Sequence, residues 1–202
     1  MKVAALLLVA AISFGADAQP SGYYKKISEN TYVLALKPGA KLVASLRAFQ
    51  RATGTLSASV TGFGALKNAR LGQYRYAGEP FRDGRVATEP TPPIHEDVTV
   101  KGHREIVSVM CNLTTNLVTA KGLKKTDPHC HVALAGSDKP AKDSQNGYPV
   151  VGGHLVEGEI DVLGEFFITT YPAAVNKQEG GGPGGSVIKL DETEGGTPLN
   201  AD

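Results

Sequence analysis

Three of the five histidines in this 202-residue chain fall in two short stretches, "DPHCHVALAG" and "VVGGHLVEG". His129 and His131 alternate along an apolar run that reads as a β-strand, and His154 follows the pair Gly152-Gly153 at the head of another. In a strand, alternate side chains share a face and each residue rises roughly 3.3 Å, so two β-carbons at this spacing stand roughly 6–7 Å apart. Imidazoles so placed can converge on one ion through Zn–N contacts of about 2.0–2.1 Å, given a third ligand from a neighbouring strand. His154 is the candidate for that ligand, because the two glycines before it clear side chains from a bulge or a close backbone approach. Cys130 points to the opposite face. Three histidines and no thiolate suit Zn²⁺ or another divalent first-row metal, with a further coordination position left for water or a ligand. The bland alternative is a half-buried polar strand face that holds no ion. His95, beside a proline-rich segment, and His103, at a strand edge, read as surface residues.

The elements that must position these side chains are legible in outline. "TYVLALKPG" is a strand closed by a Pro-Gly turn, and "AKLVASLRAFQRATG" gathers Leu42, Val43, Leu46 and Phe49 on one helical face before Gly54 stops it. After that helix come "TLSASVTGFG", "ARLGQYRY", "EDVTV", "EIVSVMCNL", "HCHVALAG", "YPVVGGHLV" and "DVLGEFFITTY", each rich in β-branched or aromatic residues. One helix against many strands predicts an α+β domain, with a strongly bent sheet wrapped over that helix. "AGEPFRDGRVATEPTPP" reads as a long loop, and the Gly-rich segment 174–202 as a disordered tail, leaving 19–173 as the domain.

Residues 1–18 read as a signal peptide. Lys2 precedes an apolar core from Val3 to Phe14 and a small-x-small site at Ala16-Asp17-Ala18, so the mature chain is expected to begin near Gln19, secreted or periplasmic. That core is shorter than the roughly 20 apolar residues of a membrane span, and no later stretch approaches this length, so no membrane association is expected. With 21 Lys+Arg against 20 Asp+Glu, the chain lacks the basic footprint that duplex nucleic acid demands, and no nucleic-acid partner is expected. Two cysteines are too few for a disulfide scaffold. Cys111 and Cys130 could bridge if their strands are neighbours in register, or remain buried thiols; both outcomes stay open. "NLT" at Asn112 to Thr114 is a glycosylation sequon that a strand position would hide.

Taken together and in order, "YVLALKPGAKLVASLRAFQRATG", "ASVTGFGALKNARLGQY", "REIVSVMCNLT", "HCHVALAGSD" and "VVGGHLVEGEI" resemble the PPC domain, for plants and prokaryotes conserved. The resemblance runs from about Thr31 to Tyr171. It implies an α+β fold, a strongly bent, mostly antiparallel β-sheet packed on a single α-helix, and assembly as a homotrimer. His129, His131 and His154 match the H-x-H pair and Gly-Gly-His of the prokaryotic branch, and the chain lacks the AT-hook of the nuclear plant members. The wider fold group is similar to acetolactate decarboxylase, whose zinc is held by an H-x-H pair and a further histidine.

Chemistry at such a centre asks for a carboxylate to move protons and a cation to hold an acidic substrate. Glu165, in "VLGEFFITT", lies where many prokaryotic members have a glutamate and is the catalytic candidate. Glu157 and Arg104 are looser candidates that read as solvated strand-edge charges. Three functions follow: an exported metal-binding protein taking a small anionic molecule, a metal-dependent lyase or hydrolase, or a metal-free homotrimeric interaction module.

Overall fold

The computed structural model describes residues 21–75, 94–118, 124–136, 149–179 and 186–188. The expected signal peptide, the 77–93 loop and most of the tail lie outside these residues. Along the chain come β1 (Gly22–Lys26), β2 (Thr31–Leu36), α1 (Leu42–Thr53), β3 (Ser57–Arg75) and β4 (Ile94–Val100). They are followed by β5 (Arg104–Val118), β6 (Lys124–Ala135), β7 (Val150–Tyr171), β8 (Asn176–Glu179) and β9 (Ser186–Ile188).

The helix forms where its apolar spacing demands one. Leu42, Val43, Leu46 and Phe49 are all buried, as is Gln50, whose Nε2 donates to the Thr114 carbonyl at 3.2 Å. Each apolar side chain buried in this way contributes roughly 1.5–3 kcal/mol relative to exposure. Gly54 ends the helix in the left-handed conformation, φ 66°, where a β-carbon would be strained. Lys41, at the N-cap, makes no capping bond with its side chain. That role falls to Glu157, a distant residue of β7, whose carboxylate accepts from the amides of Val43 at 2.8 Å and Ala44 at 3.2 Å.

All nine strands join one sheet, antiparallel at every pairing except β5 with β8. Among the described residues the fold is a bent antiparallel sheet with one helix, consistent with the expected α+β class though mostly β. Where the sequence suggests two strands on either side of a glycine-bearing stretch, β3 runs unbroken for 19 residues and β7 for 22. Register shifts within the β3–β5 and β3–β7 pairings let the long strands bend instead of ending. As a result β3 pairs with both β5 and β7, β5 with β6, and β6 with β7, closing a circuit of four strands. α1 packs against β6 and β7 over a core that includes Leu46, Leu66, Leu134, Ile160 and Phe166.

Two findings refine the sequence reading. Cys111 and Cys130 are direct cross-strand partners joined by a disulfide, with Cα atoms 4.0 Å apart. The segment read as a disordered tail contains β8, which pairs with the end of β5 and buries Lys177. Its glycine-rich neighbours mask that strand in the sequence. Among the described residues no helix is long and apolar enough to cross a membrane.

Candidate metal centre

Strand alternation sends Cys130, Val132 and Leu134 of β6 into the core and turns His129 and His131 to the opposite face. Closure of the strand circuit then brings in the third histidine: β6 pairs with β7 so that His131 stands directly opposite His154. Ala133 faces Gly152 in the same register. A β-carbon on Gly152 would lie 2.7 Å from the Val132 carbonyl oxygen, so only glycine allows the strands this approach. On the other side of β7, His154 pairs with Gly72 of β3, a neighbour with no side chain to crowd it.

The three rings converge. Nε2 of His129 and Nε2 of His131 are 3.1 Å apart, with the rings stacked at a centroid distance of 5.2 Å. His154 meets both rings edge-on, at 4.8 and 5.6 Å. One ligating nitrogen from each residue lies within 4.8 Å of the others. Two nitrogens on a tetrahedral ion with bonds of 2.0–2.1 Å are roughly 3.3 Å apart, so the His129–His131 pair already has the required span. The third ring, with its ligating nitrogen within 4.8 Å of the other two, stands beside that pair. No other such group of His, Cys, Asp and Glu is found among the described residues. His129 and His154 are half-buried and His131 is exposed, which leaves one side reachable from solvent. A donor set of imidazoles alone fits zinc or another first-row divalent ion and is wrong for Ca²⁺ or Mg²⁺, which take oxygen ligands.

The other candidates fall elsewhere. Glu165 is exposed on β7, opposite Phe63 of β3 and Ala35 of β2, and is not among the converging groups. Along the strand it is on the order of 35 Å of contour beyond His154. Glu157 is no solvated edge charge but the cap of α1. Arg104 is buried rather than solvated, its Nη1 donating to the His103 carbonyl at 3.1 Å. His103 is partly exposed and bound to two carboxylates, Asp161 through Nδ1 and Glu105 through Nε2, each at 2.7 Å. Of His95 only the backbone is described, paired with Tyr74.

Two residues near the histidines are not evident from sequence. Asn112 stands directly opposite His129 across β5 and β6, and Lys177 of β8 donates from Nζ to Asn112 Oδ1 at 2.5 Å. The sequon was the only signal at Asn112, and the glycine-rich surroundings hide Lys177.

The Plants and Prokaryotes Conserved (PCC) domain matches residues 23–172. No curated protein matches the chain. Among solved structures, a candidate DNA-binding protein from Bacteroides thetaiotaomicron is 21% identical, covering 84% of this chain and 98% of its own, with a TM-score of 0.60. A plant- and prokaryote-conserved protein from Pyrococcus horikoshii is 21% identical over 77% of this chain and 86% of its own, TM-score 0.51. A protein from Archaeoglobus fulgidus described as metal-containing is 20% identical over 76% of this chain and 91% of its own, TM-score 0.50. The description of the Bacteroides protein overturns the expectation that nucleic acid is not a partner. That expectation used the charge of the whole chain, which does not report where positive charge is gathered on a surface.

Proposed function

The chain belongs to the Plants and Prokaryotes Conserved domain family, and from that premise we propose that it is an exported, metal-binding protein that takes a small anionic molecule. His129, His131 and His154 would hold the ion, zinc first among the divalent first-row metals. The observation that carries this reading is the convergence of three imidazoles, two of them 3.1 Å apart at Nε2, on a face open to solvent. When bound, the metal supplies a Lewis-acid centre able to attract an anion or polarise a carbonyl. The chain's own part is to present neutral imidazoles from two paired strands, with Gly152 allowing those strands to meet. The Archaeoglobus relative, described as metal-containing, supports the reading through its fold.

Elemental analysis after metal-replete purification tests it. Wild type should hold metal stoichiometric with the chain, His131→Ala should lose most of it, and His103→Ala should keep it. Acid should release the ion, because only neutral imidazole donates its lone pair to a metal. Equal metal in wild type and His131→Ala, or none in wild type, would end the reading.

Export rests on the amino-terminal pattern around Ala16-Asp17-Ala18. Intact mass of secreted material should place the first residue near Gln19, and recovery of the full chain from the cytosol would refute it. The lyase or hydrolase reading asks more, since it gives proton transfer to Glu165, well along β7 from His154. Turnover of a 2-keto acid or an ester by the metal-loaded protein, lost in Glu165→Gln with the metal retained, would establish it; no turnover removes it. DNA contact enters through the description of the Bacteroides relative. Binding of duplex DNA that weakens steeply with salt would mark phosphate contacts, and none at low salt would dismiss them.

A further inference from the structure

We propose that Asn112 donates a hydrogen bond to a small carboxylate held at the histidine centre, its amide oriented by the buried ammonium of Lys177. The proposal rests on the metal reading above. A lysine ammonium can donate and cannot accept, so the amide atom facing Nζ must be the oxygen, as found at 2.5 Å. The amide nitrogen is thereby turned away from Lys177, and it can only donate. Lys177 is 2% exposed and is paired in β8 with Leu117 of β5, so the amide is oriented from a fixed point. Among the described residues, Lys177 is the one side-chain partner of Asn112.

Asn112 itself is exposed and directly opposite His129. Cross-strand partners in an antiparallel pair share a face with β-carbons roughly 4.5–5.5 Å apart, which places the amide beside the centre. Ser59, its neighbour on β3, has its hydroxyl engaged with the Tyr171 hydroxyl at 3.0 Å. A carboxylate has two oxygens, one for an ion at the histidines and one for an N–H beside them. The pairing therefore selects planar carboxylates over single-atom anions.

The test uses zinc-loaded full chain made in a host that does not glycosylate, since Asn112 heads the N-L-T sequon. Acetate is titrated in, followed by calorimetry and by the side-chain amide resonances. Acetate should shift the Asn112 amide signal in wild type. Asn112→Asp, which keeps the shape and the Lys177 contact but exchanges the donor for an acceptor, should hold the same metal and bind acetate about tenfold or more weakly. Asn112→Ala should behave alike, and Lys177→Met, which frees the amide to turn, should weaken acetate with metal retained. Unchanged acetate affinity in Asn112→Asp at equal metal would overturn the assignment alone, as would loss of metal with the amide, which would make Asn112 a support for His129. A wild type that takes up no metal fails both this proposal and the reading beneath it.

Discussion

His103 carries the clearest pH dependence among the individual residues. Its two ring nitrogens meet Asp161 and Glu105, and Lys67 reaches Asp161 at 3.7 Å and Glu159 at 3.1 Å. The hydrogen bond to Asp161, then that to Glu105, hold the imidazole above its ordinary value near 6.5, against a smaller opposing effect of burial. A raised folded pKa means that the stabilisation is fully present below the unfolded value and is lost as pH rises through the folded one. The ring is 46% exposed, so the effect should be small. Denaturation midpoints of metal-free wild type and His103→Ala should differ in mild acid and converge in alkali. A difference that does not change with pH would contradict this. The histidine pair was legible because strand periodicity is two; the partners of Glu157 and Asn112 were not, lying 114 and 65 positions away.

At the level of elements, long-range contacts do what local sequence leaves undone. α1 has no capping side chain of its own and no acidic residue in its first turn, so Glu157 supplies both acceptor and negative charge at the positive end of its dipole. Glu157→Gln removes the charge and one of two acceptor oxygens and should cost about 0.5–2 kcal/mol in chemical denaturation, with metal content unchanged. No loss of stability would show that the helix does not depend on this cap. The disulfide ties β5 to β6 at the residue between His129 and His131, across a separation of 19 positions. Loop-closure entropy for that length is about 3 kcal/mol, so a Cys111→Ala, Cys130→Ala variant should unfold at a correspondingly lower denaturant concentration. Equal midpoints would assign the bridge no such role. The helix and most strand segments could be read from apolar spacing. Their merger into long bent strands could not, because a glycine that ends a strand and one that permits a bulge or a close approach look alike in sequence. The closing of β6 onto β7, which brings His154 to His131, depends on that bending.

For the whole molecule, the face that carries the histidines also leaves apolar side chains without cover. Met110, opposite His131, is 67% exposed, and Phe167 is 43% exposed. Both stand opposite Thr61 of β3, one from β5 and one from β7, so they flank it in a row across three strands. Phe63 and Val107 are exposed as well. Burying such a row against further copies would remove it from water, and the homotrimer implied by the resemblance offers a closed arrangement of this kind. A stable interface hides roughly 800 Å² per partner, so these side chains would form its centre rather than its whole extent. Sedimentation equilibrium of wild type at micromolar concentration should give the trimer mass. Met110→Asp with Phe167→Asp, which places charge at the centre of the row, should shift the protein toward monomer. Since Met110 stands directly opposite His131, metal binding is read on Phe167→Asp alone, whose strand partners are Val33 and Thr61: a monomeric variant that still binds metal would separate assembly from ion binding, whereas loss of both together would mean that the centre needs its neighbouring copies. A wild type that stays monomeric at that concentration would leave the apolar row uncovered and the trimer refuted.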